Sequence, residues 1–299
     1  MPAETIRSPR GLDAPTGVAS PRGLGGLTGV VAAELTKLVR RPASWLLLVI
    51  AVVLGLTFTY LIPYAGYAGG TRGPRSGRGL APLLPAELVG NSIGGLPVFL
   101  GALMVILGVL TVGGEYGWGT WKTLLTQGPS RTTGYAGKLL ALAAATLVAV
   151  LAVFATGAVT SAAIAAAEGA PTSWPGAGDL AVGVGAGWLI ATMWASFGAL
   201  LAVLLRGVAL PVGLGLVWLL AVQNLLASIA APLLDWVAQA QKGLPGPNAG
   251  ALVAALGATA DTPGVEAVVG GGQAALVLGA YLLGFALLGL FRLRRGDVL

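Results

Sequence analysis

The chain has no Cys and no His, so soft metal sites, thiol nucleophiles and imidazole proton shuttles are excluded. The chemistry left to it is carried by carboxylates, amines and guanidinium groups, 11 acidic and 17 basic residues in 299. A phosphate-binding loop needs Gly, four residues, then Gly-Lys-Ser/Thr. The nearest approach is "GYAGKL", where Gly134 stands too close to Gly137 and Leu139 replaces the hydroxyl. Nucleotide hydrolysis by this chain is therefore not expected. Two other residues are placed to matter: Glu115 and Lys138, each at the edge of a long uncharged stretch. A carboxylate at such an edge is expensive to bury alone and should be paired, with Lys138, Lys122 and Arg131 as candidate partners.

The uncharged stretches themselves settle the class. No charge occurs between Arg41 and Arg72, Glu87 and Glu115, Lys138 and Glu168, Asp179 and Arg206, Arg206 and Asp235, or Glu266 and Arg292. Each gap exceeds the roughly 20 apolar residues that cross about 30 Å of hydrocarbon. The chain is 56% hydrophobic and 9% charged, where soluble domains carry about 25% charge. The expected fold is an all-α integral membrane protein with spans near 44–63, 94–113, 138–165, 181–205, 208–231 and 273–291. No acidic residue or Lys lies in any span core, which argues against a proton-coupled carrier.

Charge also orients the spans. With six of them both termini share a side; Arg72, Arg75, Arg78 and Lys242 fall opposite, and the other 13 basic residues lie with the termini. That excess places both termini in the cytoplasm of a multi-pass cell-membrane protein. The basic balance, pI near 10.0, thus serves topology, and no nucleic-acid partner is expected. Residues 1–26 mix Pro, Gly, Ser and Arg and read as a disordered tail ahead of a single membrane domain, 27–299.

Next, "LTGVVAAELTKLVRRP" has helical periodicity: Leu27, Val31, Leu35 and Leu38 line one face, with Glu34, Lys37 and Arg41 opposite. An amphipathic helix over 27–41, lying in the interface and ended by Pro42, is expected. The outer segments are 64–93 and 232–272. In the second, residues 243–260 are weakly apolar and rich in Gly and Pro, which suits a re-entrant or surface helix over a seventh span.

Within the spans, Gly183, Gly187, Ala191, Ala195 and Ala199 repeat every four residues, a smooth face for close packing inside the chain or between protomers. Gln223 and Asn224 sit mid-span, either as an interhelical hydrogen-bonding pair or on a substrate path.

The cytoplasmic segment "GGEYGWGTWKTLLTQGPSR", 113–131, is longer than a connector between neighbouring helices needs. "GTWKTLLTQGPSR" reads as a short helix capped by Gly119 or Thr120 and ended by Gly128 and Pro129, with a second helix starting near Ser130. Trp118 and Trp121 suit a docking surface and a headgroup belt equally well.

The stretch "GEYGWGTWKTLLTQGPSRTTGYAGKLLA" resembles the signature between spans two and three of ABC-2 type transporter permeases, and "AELTKLVRRPASWLLL" resembles that family's amphipathic helix. The match rests on Gly114, Glu115, Tyr116, Gly119, Thr120, Lys122, Leu124, Leu125, Ser130, Arg131, Gly137, Lys138 and Leu139. Its Gly-rich form and Trp121 depart from the family pattern. The resemblance implies the membrane subunit of an ABC exporter, with 118–131 a coupling helix that docks a separate ATPase through Trp118, Thr120, Trp121, Lys122 and Arg131. It implies coupling at the span edge by Glu115 and Lys138, and ATP and Mg bound by the partner, with no cofactor in this chain. The partners implied are an ABC ATPase, a second copy or a paralogous permease, and the bilayer. The apolar spans suit hydrophobic or amphipathic cargo. A non-transporting scaffold or immunity subunit, and a passive channel, are the alternative readings.

Overall fold

The computed structural model describes residues 24–70, 79–117 and 130–295. Helices make up the architecture, with no strand among the described residues. Among the described residues six helices are long and apolar enough to cross a membrane. The chain opens with α1 (Leu24–Arg40), which stops at Arg41, where an extended backbone and the following Pro42 break the helix. The spans are α2 (Pro42–Ala68), α4 (Phe99–Gly117), α5 (Arg131–Ala167), α6 (Ala177–Leu205), α7 (Ala209–Leu233) and α10 (Gly271–Arg295). Shorter helices are α3 (Leu88–Ile93), α8 (Asp235–Ala240) and α9 (Pro245–Ala255). The expected 1–26 tail lies outside the described residues apart from its last three, which already belong to α1.

The centre of the bundle is the α4–α6 pair, and its closeness is a matter of side-chain size. A methyl at Gly108 would run into the Ala195 carbonyl, and one at Gly198 into the Val105 carbonyl. Only glycine lets the two backbones touch there. The α6 stripe of Gly183, Gly187, Ala191, Ala195 and Ala199 is buried within the chain. Gly183 faces Val89 and Phe154, and Gly187 faces Ile93 and Val150. Polar ties join α6 to α5: the buried Thr146 and Thr192 hydroxyls bond at 2.8 Å, and at the exposed side the Trp188 indole donates to the Ala143 carbonyl at 2.7 Å. By contrast α2, α7 and α10 lie at the periphery, with Leu46, Val53, Leu214, Leu276 and Leu283 exposed on the outside of the bundle. In a membrane protein that surface belongs to lipid or to another subunit.

Two expectations need correction. The second span, expected from residue 94, starts only at Phe99: Gly94, Gly95 and Pro97 break the chain, and the preceding α3 is buried against α5 and α6. The 243–260 stretch, expected as a re-entrant or surface helix in preference to a seventh span, holds a helix too short to cross. The eleven residues of α9 reach only about 16 Å at 1.5 Å each, and its Ala249–Val253 run is buried against α10 and α6. Finally, Glu34 does not share a water-facing side of α1 with Arg41. It is buried, because α1 packs on α5 with a face that includes Glu34 as well as Leu38.

Candidate functional site

Four charged side chains meet where α1, α4 and α5 converge. The first helix supplies Glu34 and Lys37, three residues apart and so on one side. The last turn of α4 supplies Glu115, and the second turn of α5 supplies Lys138. Ser130 fixes where α5 begins: its hydroxyl accepts the Thr133 amide at 3.1 Å, an N-cap that sets the register of Lys138 two turns on.

The four charges form a closed alternating ring. Lys138 Nζ lies 2.6 Å from Glu115 Oε1 and 2.9 Å from Glu34 Oε2. Lys37 Nζ lies 2.7 Å from Glu34 Oε1 and 3.0 Å from Glu115 Oε1. The ring is electrically neutral. Lys138 is fully buried, Glu34 and Glu115 are each 3% exposed, and only the Lys37 side chain, at 38%, reaches outward. Burial alone would push the Glu34 carboxyl up, but Lys138 and Lys37 hold it below its ordinary 4.5. Likewise burial alone would lower Lys37, yet Glu34 and Glu115 carry it above 10.5. Among the described residues, buried Glu115 Oε2 has no hydrogen-bond partner, and the contacts to its carboxylate fall on Oε1. Beside the ring, Arg41 donates from Nη1 to the Leu110 carbonyl at 3.2 Å, tying the α1–α2 junction to α4.

Of the other site residues expected from sequence, Trp118, Thr120, Trp121 and Lys122 lie outside the described residues. Arg131 is half-buried in the first turn of α5, two turns before Lys138. Among the described residues the Gln223–Asn224 pair makes no interhelical bond. Asn224 donates to the Leu220 carbonyl of its own helix at 2.9 Å, and neither amide atom of the buried Gln223 has a hydrogen-bond partner. Both residues line a cleft of about 340 Å³ beside Gly246. The reason is position: α7 is peripheral, and the wall facing Gln223 is a glycine with no side chain to answer it.

Glu34 and Lys37 were missed as site residues because sequence periodicity sets them with the polar face of α1. The available signal was the pairing requirement of Glu115 and Lys138, which one neighbour each satisfies only in part. No curated protein matches the chain in sequence. A family model described as ABC-2 family transporter protein matches residues 30–222, a stretch holding all four ring residues and the 118–129 segment. With a span count, a helical bundle and a matched region that agree, the chain belongs to the ABC-2 transporter family and is the multi-pass membrane permease subunit that works with a separate ABC ATPase.

Proposed function

We propose that this permease is half of an ATP-driven exporter of hydrophobic or amphipathic compounds, working as two permease subunits with two ATPase subunits. Both termini and residues 114–137 face the cytoplasm, where 13 of the 17 basic residues then collect. ATP and Mg are held by the partner. This chain contributes a docking segment, 118–131, with Trp118, Thr120, Trp121, Lys122 and Arg131 as the contacting side chains.

The observation that carries the coupling argument is the charge ring at the point where the chain enters and leaves that segment. Glu115 lies three residues before Trp118, and Lys138 comes two turns after Arg131. Separating Lys138 from Glu34 and Glu115 would strand buried charge, at a cost of about 3–5 kcal/mol. A displacement of 118–131 is therefore passed to α1, α4 and α5 together. In turn α4 is locked to α6 by glycine contacts, so the motion reaches the centre of the bundle.

The decisive experiment is copurification of an ATPase with this permease, and then nucleotide-dependent movement of a hydrophobic dye in proteoliposomes. An ATPase that copurifies and drives dye movement supports the reading; a permease that conducts without nucleotide, or only binds a partner, contradicts it.

A further inference from the structure

At the end of the bundle away from the charge ring, a cavity of about 490 Å³ opens between α2, α3 and α5. Among the described residues its walls carry no charged side chain. They are mainly apolar, with Leu56, Phe99, Leu100 and Val153 among them. Its size falls in the usual range for small-molecule sites, about 300–1,000 Å³. Phe58 and Phe99, each 51% exposed, stand at its edge on the outside of the bundle, which places an opening toward lipid.

Two hydroxyls distinguish this cavity from a packing defect. Tyr60 and Ser92 are 2% and 4% exposed; among the described residues Ser92 has no hydrogen-bond partner, and Tyr60 has only a poorly aligned neighbour in the Asn91 side chain. Both lie over Gly157: a Cβ there would stand 3.2 Å from Tyr60 Oη and 3.4 Å from Ser92 Oγ. By contrast the Thr156 hydroxyl on the same wall is spent on the Ala152 carbonyl of its own helix at 2.7 Å. Tyr60 is carried by a π-helical stretch, Thr57–Leu61, a local irregularity often found at functional sites. Buried hydroxyls without partners are costly, and a ligand that supplies a partner recovers that cost.

We infer that this cavity binds an uncharged, largely apolar molecule bearing a hydroxyl or carbonyl group, which bonds Tyr60 and Ser92 while its apolar body fills the space toward Phe58 and Phe99. A charged head is disfavoured, since no counter-charge lines the walls among the described residues. The same chemistry occurs in a bilayer lipid and in a transported compound. Assignment to cargo rests on the exporter reading; the binding itself does not.

The test uses the full chain with its ATPase in nanodiscs and a long-chain alcohol carrying a photoactivatable diazirine, with the matching alkane as control. The alcohol should label peptides around Tyr60, Ser92 and Gly157. The Tyr60→Phe, Ser92→Ala pair should weaken alcohol labelling about tenfold and leave alkane labelling unchanged. Gly157→Leu, which fills the space between the hydroxyls, should abolish both. Labelling elsewhere, or equal loss of both probes in the Tyr60→Phe, Ser92→Ala pair, would overturn the site. In a complex shown to hydrolyse ATP, turnover should lower labelling; labelling indifferent to turnover identifies a resident lipid and overturns the cargo assignment. Absence of hydrolysis with labelling intact instead sinks the exporter reading alone.

Discussion

The Lys138 ammonium sits 2.6 Å from the Glu115 carboxylate, and both side chains are closed off from solvent. Such a pair is weak evidence for stability by itself, because two desolvation costs offset the attraction. Its effect emerges when one member is removed. Lys138→Met should leave Glu115 and Glu34 competing for Lys37, and should destabilise by about 3–5 kcal/mol. The Glu115→Leu, Lys138→Met pair keeps the neutral Glu34–Lys37 contact and should recover much of that loss. Thermal unfolding of the four proteins of this cycle in detergent measures the coupling. Additive losses would mean that the ring does not act as a unit.

The ring should also set a pH window for the attachment of α1. Glu34 titrates below its ordinary 4.5 in the folded chain, so its contribution is present above 4.5 and lost as pH falls through the depressed value. Lys37 titrates above 10.5, so its contribution is present below 10.5 and lost as pH rises through the raised value. The stability gap between the natural chain and a Glu34→Gln, Lys37→Met variant should stay flat across that window and narrow outside it. A gap that changes near neutral pH would contradict the assignment.

Close packing of α4 on α6 predicts a contrast between glycines of similar helical setting. Gly198→Ala drives a methyl into the Val105 carbonyl and should cost about 1–3 kcal/mol. Gly213→Ala in α7 meets nothing within 4 Å and should gain up to about 1 kcal/mol from helix propensity. Equal effects on unfolding midpoint would mean that the α4 backbone does not limit side-chain size at Gly198.

The spans were legible because they depend on one coarse quantity, uncharged length, which lipid imposes on every crossing segment. Lys138 was legible as a partner for Glu115 because both mark the edges of such lengths. Glu34 was not, since the amphipathic pattern of α1 cannot tell water from a buried counter-charge. Residues 88–98 were equally opaque: their apolar character suits a span start, and the break at Gly94, Gly95 and Pro97 places them in a folded-back segment only once α5 and α6 are there to cover it. The Tyr60 and Ser92 hydroxyls, 32 positions apart, meet over Gly157 through tertiary packing alone.

Topology is open to a direct test because the chain contains no Cys. Thr126→Cys and Asp297→Cys should resist an impermeant thiol reagent in intact cells, and Ser76→Cys should react. Labelling of position 126 from outside would end the docking argument.

The central claim is that residues 118–131 receive the ATPase. Interface anchors of Trp or Arg commonly cost at least about 2 kcal/mol when truncated, roughly thirtyfold in affinity. A Trp121→Ala, Arg131→Ala variant should therefore insert normally and lose ATPase copurification, while Glu115→Gln keeps the partner and loses transport. The measurement is the amount of ATPase retained per permease after purification in detergent. A fall of roughly thirtyfold or more with insertion intact is the predicted result; full retention in the double variant, with transport unchanged, would contradict the account.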